Sequence, residues 1–83
     1  MNRTLSEIAA ALGGRVAAGD GRMLIERVVT DSRKVTPGSL FFALKGTNHD
    51  GHDFVGEVFS RGGAAVVSRP VRGGPTIEVR DCL

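Results

Sequence analysis

The sequence predicts an α/β fold: a small mixed sheet of about five strands with two flanking helices and a βαβ crossover. Three observations carry that expectation. Leu40-Phe41-Phe42-Ala43-Leu44 and Ala64 to Ser68 are continuous apolar runs, the pattern of strands buried on both faces. Between them Phe54, Val55, Val58 and Phe59 fall at helical spacing, so the order strand, loop, helix, strand predicts a right-handed crossover between parallel strands. Near the N-terminus Leu5, Ile8, Ala9 and Leu12 lie at i, i+3, i+4 and i+7, one apolar face of another helix.

In chain order, Thr4-Leu5-Ser6-Glu7 reads as a capping box that starts the first helix, and Gly13-Gly14 supplies the left-handed residue that ends it. Arg15 to Ala18 and Arg22 to Thr30 flank Gly19-Asp20-Gly21, a three-residue loop suited to a hairpin. Thr36-Pro37-Gly38-Ser39 is a turn: Pro37 fixes one backbone angle and Gly38 can take a positive φ. The Leu40 to Leu44 strand follows. Lys45 to Gly51 has no apolar period and two glycines, which predicts a loop at the end of a buried strand, where function commonly resides. A helix is expected from about His52 to Arg61, with Asp53 in its first turn and Gly62-Gly63 closing it. After the Ala64 to Ser68 strand, Ser68 to Pro75 reads as a surface excursion and Thr76 to Val79 as a last strand. Asp81-Cys82-Leu83 looks like the opening of a further helix, so the chain is expected to be part of something longer.

Eighty-three residues make one domain at most, with a small core. The aromatic core material is Phe41, Phe42, Phe54 and Phe59, since Trp and Tyr are absent. A net charge of +2, spread from Arg3 to Arg80, forms no basic stripe with aromatics for base stacking, so nucleic acid is not an expected partner. A small anionic ligand suits this balance better. Cys82 is the only cysteine, which excludes an internal disulfide and a thiolate metal cage and fits a reducing cytoplasm. No segment approaches membrane-spanning length, and no signal-peptide pattern is present in these residues, so no membrane is expected either.

The polar residues capable of chemistry concentrate between Thr30 and Phe54, on both sides of the central apolar run. Asp31, Ser32, His49 and His52 include the residue types of a nucleophile, base and orienting group. A serine beside Asp at a strand-to-turn junction is more commonly a turn cap, however, and the G-x-S-x-G elbow is absent. His49-x-x-His52 with Asp50 and Asp53 offers donors for a divalent cation, but such junctions collect these residues as caps, and no metal site is expected. Lys45-Gly46 with the following loop and helix start supplies a cation, free amides and a positive dipole end, all suited to phosphate. A plain strand-to-helix connection with a solvated lysine explains the same residues equally well. Neither G-x-x-x-x-G-K-[ST] nor G-x-G-x-x-G occurs, so the chain is not expected to hydrolyse ATP by itself and no catalytic residue is assigned.

Thr30-Asp31-Ser32-Arg33-Lys34-Val35, Pro37-Gly38-Ser39-Leu40-Phe41, Ala43-Leu44, Gly46, Asp50-Gly51-His52-Asp53-Phe54 and the Gly63-Ala64-Ala65-Val66-Val67 strand together resemble the N-terminal domain of the Mur ligases of bacterial peptidoglycan synthesis. The resemblance covers nearly the whole chain and implies that domain's fold. The opening Leu5-Ser6-Glu7-Ile8-Ala9 with Leu12-Gly13-Gly14, and the closing Val79-x-Asp81, look more like the member that adds D-alanyl-D-alanine than the one that adds the third stem-peptide residue. The resemblance implies that the domain holds the uridine diphosphate part of UDP-N-acetylmuramoyl-tripeptide. No cofactor is expected in this domain, whereas ATP, Mg and D-alanyl-D-alanine are taken by other domains of the full-length enzyme. A cytoplasmic monomer is implied. Carried over by motif, the nucleotide contacts fall on Thr30, Ser32, Thr47, Asn48 and His49, with Arg33, Lys45 and His52 as additional residues near the phosphates. His49 and the doubled Gly62-Gly63 depart from the commoner family pattern, and the second glycine is expected to affect only the helix end. The rival reading is a non-catalytic interaction module with the same fold.

Overall fold

The structure is a computed structural model and describes residues 2–43 and 51–80. It contains strands β1 (Arg3–Thr4), β2 (Arg15–Ala18), β3 (Leu24–Ile25), β4 (Arg27–Val29), β5 (Ser39–Phe42), β6 (Ala64–Val67) and β7 (Thr76–Glu78), with helices α1 (Leu5–Leu12) and α2 (Val55–Ser60). One five-stranded sheet has the order β2-β7-β6-β5-β4, and β1 with β3 forms a separate two-stranded ribbon. β4 through β7 run parallel to their neighbours, and β2 closes the sheet antiparallel to β7. This is the mixed α/β sheet with two helices that the sequence predicts.

Helix α1 starts as its sequence requires. The Thr4 hydroxyl accepts the Glu7 amide at 3.1 Å, and the Glu7 carboxylate accepts the Thr4 amide at 2.8 Å, so two first-turn donors are satisfied. Gly13 ends the helix at φ 72°. Leu5 and Ala9 are buried, but Leu12 is 40% exposed, so the apolar face covers only the first two turns.

The central strands are buried on both faces, as their uninterrupted apolar runs require. Leu40, Ala64, Val66 and Ile77 join Leu5, Ala9 and Ile25 in the core beneath α1. Phe41, Ala65 and Val67 face the other way, with Val35, Val55 and Val58 under α2. The crossover from β5 to β6 through α2 is parallel, pairing Leu40 with Ala64 and Phe42 with Val66.

The expected hairpin across Gly19-Asp20-Gly21 does not form. β2 pairs instead with β7, Arg15 opposite Glu78, while β3 pairs with β1. The turn chemistry is local and does not choose a partner. The Asp20 carboxylate accepts the Arg22 amide at 2.9 Å, and the Leu5 and Ser6 amides capture the carbonyls of Met23 and Gly21, which draws residues 21–25 to the start of α1. The single strand expected from Arg22 to Thr30 breaks at Glu26, where the Glu26 and Arg27 amides both donate to the Gly38 carbonyl and the chain passes from ribbon to sheet. A 3-10 turn over Gly51–Phe54 precedes α2, so the helix expected from His52 begins in tighter winding. Phe54 stands at that change of pitch and is 37% exposed, which removes it from the expected core.

Candidate nucleotide edge at the carboxyl ends of the parallel strands

Because β4 to β7 are parallel, their carboxyl ends open on one edge of the sheet. Thr30 leaves β4 on that edge and is exposed. Asp31 then caps a 3-10 turn over Ser32–Lys34, accepting the Arg33 amide at 2.9 Å. The Arg33 guanidinium grips the same carboxylate through Nε at 3.0 Å and Nη2 at 2.9 Å. That side-chain grip, followed by the amide bond, holds the Asp31 carboxyl at about 2, below its ordinary value of 3.8. Arg33, one of the cations expected near the phosphates, thus already holds a carboxylate on an exposed surface.

Ser32 is only 8% exposed, and its hydroxyl donates to Glu57 Oε1 of α2 at 3.0 Å. Arg61 binds the other oxygen, Oε2, through Nε at 3.1 Å and Nη2 at 3.0 Å. Glu57 therefore joins the exit of β4 to the helix of the crossover. His52 is 6% exposed, and its Nε2 accepts the Ser68 amide at 3.1 Å. A backbone amide can only donate, so Nε2 carries no proton in this arrangement. His52 ties the start of the crossover helix to the exit of β6.

The structure thus places Thr30, Ser32 and Arg33 together at the end of β4, and His52 beside the end of β6. Lys45, Thr47, Asn48 and His49 lie outside the described residues. Sequence reasoning did not single out Glu57 or Ser68. It also did not foresee a cleft of about 570 Å³ at the other end of the edge, lined by Arg15, Ser68, Arg69, Glu78 and Arg80 among others. The strand order alone brings these distant residues together. Among the described residues no cluster of three or more His, Cys, Asp or Glu side chains is placed to hold a metal ion.

A mixed sheet with a crevice outside the carboxyl ends of its parallel strands defines an α/β domain of the kind that carries ligands on that edge. The chain belongs to the Mur ligase family: the family model described as "Mur ligase family, catalytic domain" matches residues 24–72. It is 45% identical over 69 residues to the UDP-N-acetylmuramoyl-tripeptide--D-alanyl-D-alanine ligase of Escherichia coli K12, a match covering 82% of this chain and 15% of that protein. It is also 46% identical over 65 residues to the UDP-N-acetylmuramoyl-L-alanyl-D-glutamate--2,6-diaminopimelate ligase of Chlorobaculum tepidum, covering 75% of this chain and 13% of that one. Among solved structures, the crystal structure of MurF from Acinetobacter baumannii superposes with a TM-score of 0.88 at 32% identity, over 99% of this chain and 19% of that chain. The fold is that of the Mur ligase N-terminal domain. The chain spans less than a fifth of the length of these relatives.

Proposed function

We propose that this chain is the substrate-recognition part of an ATP-dependent Mur ligase, holding the uridine diphosphate moiety of UDP-N-acetylmuramoyl-tripeptide while D-alanyl-D-alanine is joined to it in peptidoglycan synthesis. The observation that carries this reading is the 45% identity with the D-alanyl-D-alanine-adding ligase of Escherichia coli. The position of the Thr30-Asp31-Ser32-Arg33 segment at the carboxyl edge supports it. Thr30 and Ser32, with Thr47, Asn48 and His49, are the proposed nucleotide contacts. Lys45, Arg33 and His52 are weaker candidates, because Arg33 is held by Asp31 and His52 by Ser68.

The sequence has no phosphate loop, and the described residues offer no carboxylate cluster for a cation. The proposal therefore leaves activation of the substrate carboxylate to other parts of a longer protein. This chain's share is to bind and orient the nucleotide handle. The likeness to diaminopimelate ligases favours a second reading, a domain of the enzyme that adds the third stem-peptide residue. Among the described residues no helix is long and apolar enough to cross a membrane. A monomer in the bacterial cytoplasm completes the proposal.

The test is a titration of the isotope-labelled protein with uridine diphosphate, read by backbone amide NMR shifts. Saturable shifts at residues 30–33 and 45–52 are expected. Shifts confined to other residues, or none, would favour the non-catalytic interaction module.

A further inference from the structure

Glu57 stands on α2, outside the Thr30 to Arg33 segment, and its two carboxylate oxygens have different partners. Oε2 takes both Nε and Nη2 of Arg61, one helical turn on, at 3.1 and 3.0 Å. Oε1 takes the Ser32 hydroxyl at 3.0 Å. A guanidinium has only donors and an ionised carboxylate only acceptors, so neither group can reverse its part. The Ser32 hydroxyl could act either way. Bound to Glu57, it gives its proton to Oε1 and keeps only oxygen lone pairs for a ligand.

We propose that Glu57, fixed by Arg61, is a positioning residue that sets the polarity of Ser32 and so makes this edge select a ligand group that donates a hydrogen bond. The proposal rests on the reading of Ser32 as a nucleotide contact. In uridine diphosphate the nucleoside donors are the uracil N3–H and the ribose hydroxyls. Ionised phosphate oxygens only accept, so Ser32 refuses them and turns to the nucleoside.

Glu57→Gln separates this role from a merely structural one. The new amide has one oxygen, and Arg61, which is charged and can only donate, takes it. The amide nitrogen then faces Ser32 and donates to it, so the hydroxyl turns its proton toward the ligand and its polarity is reversed. Adding Arg61→Ala lets the amide flip and offer its oxygen to Ser32 again. Both side chains are part exposed, so these substitutions leave the core in place.

The test is an amide NMR titration with uridine diphosphate, its N3-methyl derivative and its 2′,3′-dideoxy derivative, which between them remove each nucleoside donor. Affinities are taken as ratios to uridine diphosphate within one protein, so a general loss of binding cancels. In the wild type at least one derivative is expected to bind about tenfold more weakly, the effect of one hydrogen bond. That penalty should vanish in Ser32→Ala and in Glu57→Gln, and return in Glu57→Gln/Arg61→Ala. Equal binding of all three ligands by the wild type, a penalty that Ser32→Ala or Glu57→Gln leaves in full, or one that the double variant fails to restore would overturn the proposal. All of these results include saturable shifts with uridine diphosphate. Their absence in the wild type would instead overturn the nucleotide reading, and this role of Glu57 with it.

Discussion

The Ser32 hydroxyl donates its proton to the Glu57 carboxylate at 3.0 Å, across 25 residues of chain. A hydroxyl so engaged retains only acceptor capacity. Ser32 is one of the proposed nucleotide contacts, but with its proton held by Glu57 it can receive a ligand N–H or O–H and has nothing to give a phosphate oxygen. Ser32→Ala should therefore weaken uridine and uridine diphosphate by the same factor in parallel titrations. A loss much larger for the diphosphate would show that Ser32 serves the phosphates. The same substitution removes a part-buried hydrogen bond to a charged group and should cost about 1–2 kcal/mol in urea unfolding.

His52 and Ser68 make the second tie between the crossover helix and the sheet edge. Removing the acceptor leaves the Ser68 amide unpaired, so His52→Ala should cost about 1–3 kcal/mol and speed hydrogen exchange at Ser68. Gln can place its side-chain oxygen near the position of Nε2. His52→Gln should restore part of both losses. Equal exchange rates at Ser68 in all three proteins would mean that the His52 contact contributes nothing.

The parts of the fold legible in the sequence are those whose environment is written into neighbouring residues. Leu40 to Ala43 and Ala64 to Val67 are apolar at every position because both faces are covered, and Thr4 with Glu7 caps a helix by contacts three residues apart. The partner of β2 was not legible. Arg15 meets Glu78 from 63 residues away, whereas Gly19-Asp20-Gly21 invites a hairpin at close range. Phe54 was misplaced because a change from 3-10 to α winding rotates the faces of a helix and leaves no compositional mark. The Thr30 to Arg33 part of the site was legible as a motif, but the engagement of its side chains with Glu57 and Asp31 required the fold.

Asp31 gives a pH dependence of definite sign. Its carboxyl titrates at about 2 in the folded protein against an ordinary value of 3.8, first because of the Arg33 side chain and then because of the Arg33 amide. The folded state therefore binds fewer protons between these values, and the resulting stability is fully present above 3.8 and lost as pH falls through about 2. Asp31→Asn keeps an oxygen for the Arg33 amide but cannot ionise. The gap in urea midpoint between wild type and Asp31→Asn should be constant above pH 5 and should close on acidification. A gap that widens toward low pH would contradict this assignment.

Gly62 and Gly63 close α2 for two different physical reasons, and substitution separates them. Gly62 has φ 83°, a backbone region that most side chains resist, yet its Cβ direction is open except for Pro37 Cγ at 3.1 Å. Gly63 has an ordinary backbone, but a Cβ there would meet Val35 Cγ1 at 2.5 Å and Val58 Cγ1 at 3.1 Å, inside the core under α2. The cost at Gly62 is conformational, so Gly62→Ala should lose about 1 kcal/mol and Gly62→Asn less, because Asn tolerates the left-handed region. The cost at Gly63 is steric, so Gly63→Ala should lose about 1–3 kcal/mol by overpacking and Gly63→Asn more. The ordering of Ala and Asn is thus opposite at adjacent positions, and urea unfolding of the four variants reads it directly. If Asn were the milder substitution at both, the second glycine would be only an extension of the helix end, and the close approach of Val35 and Val58 would have no bearing on its identity.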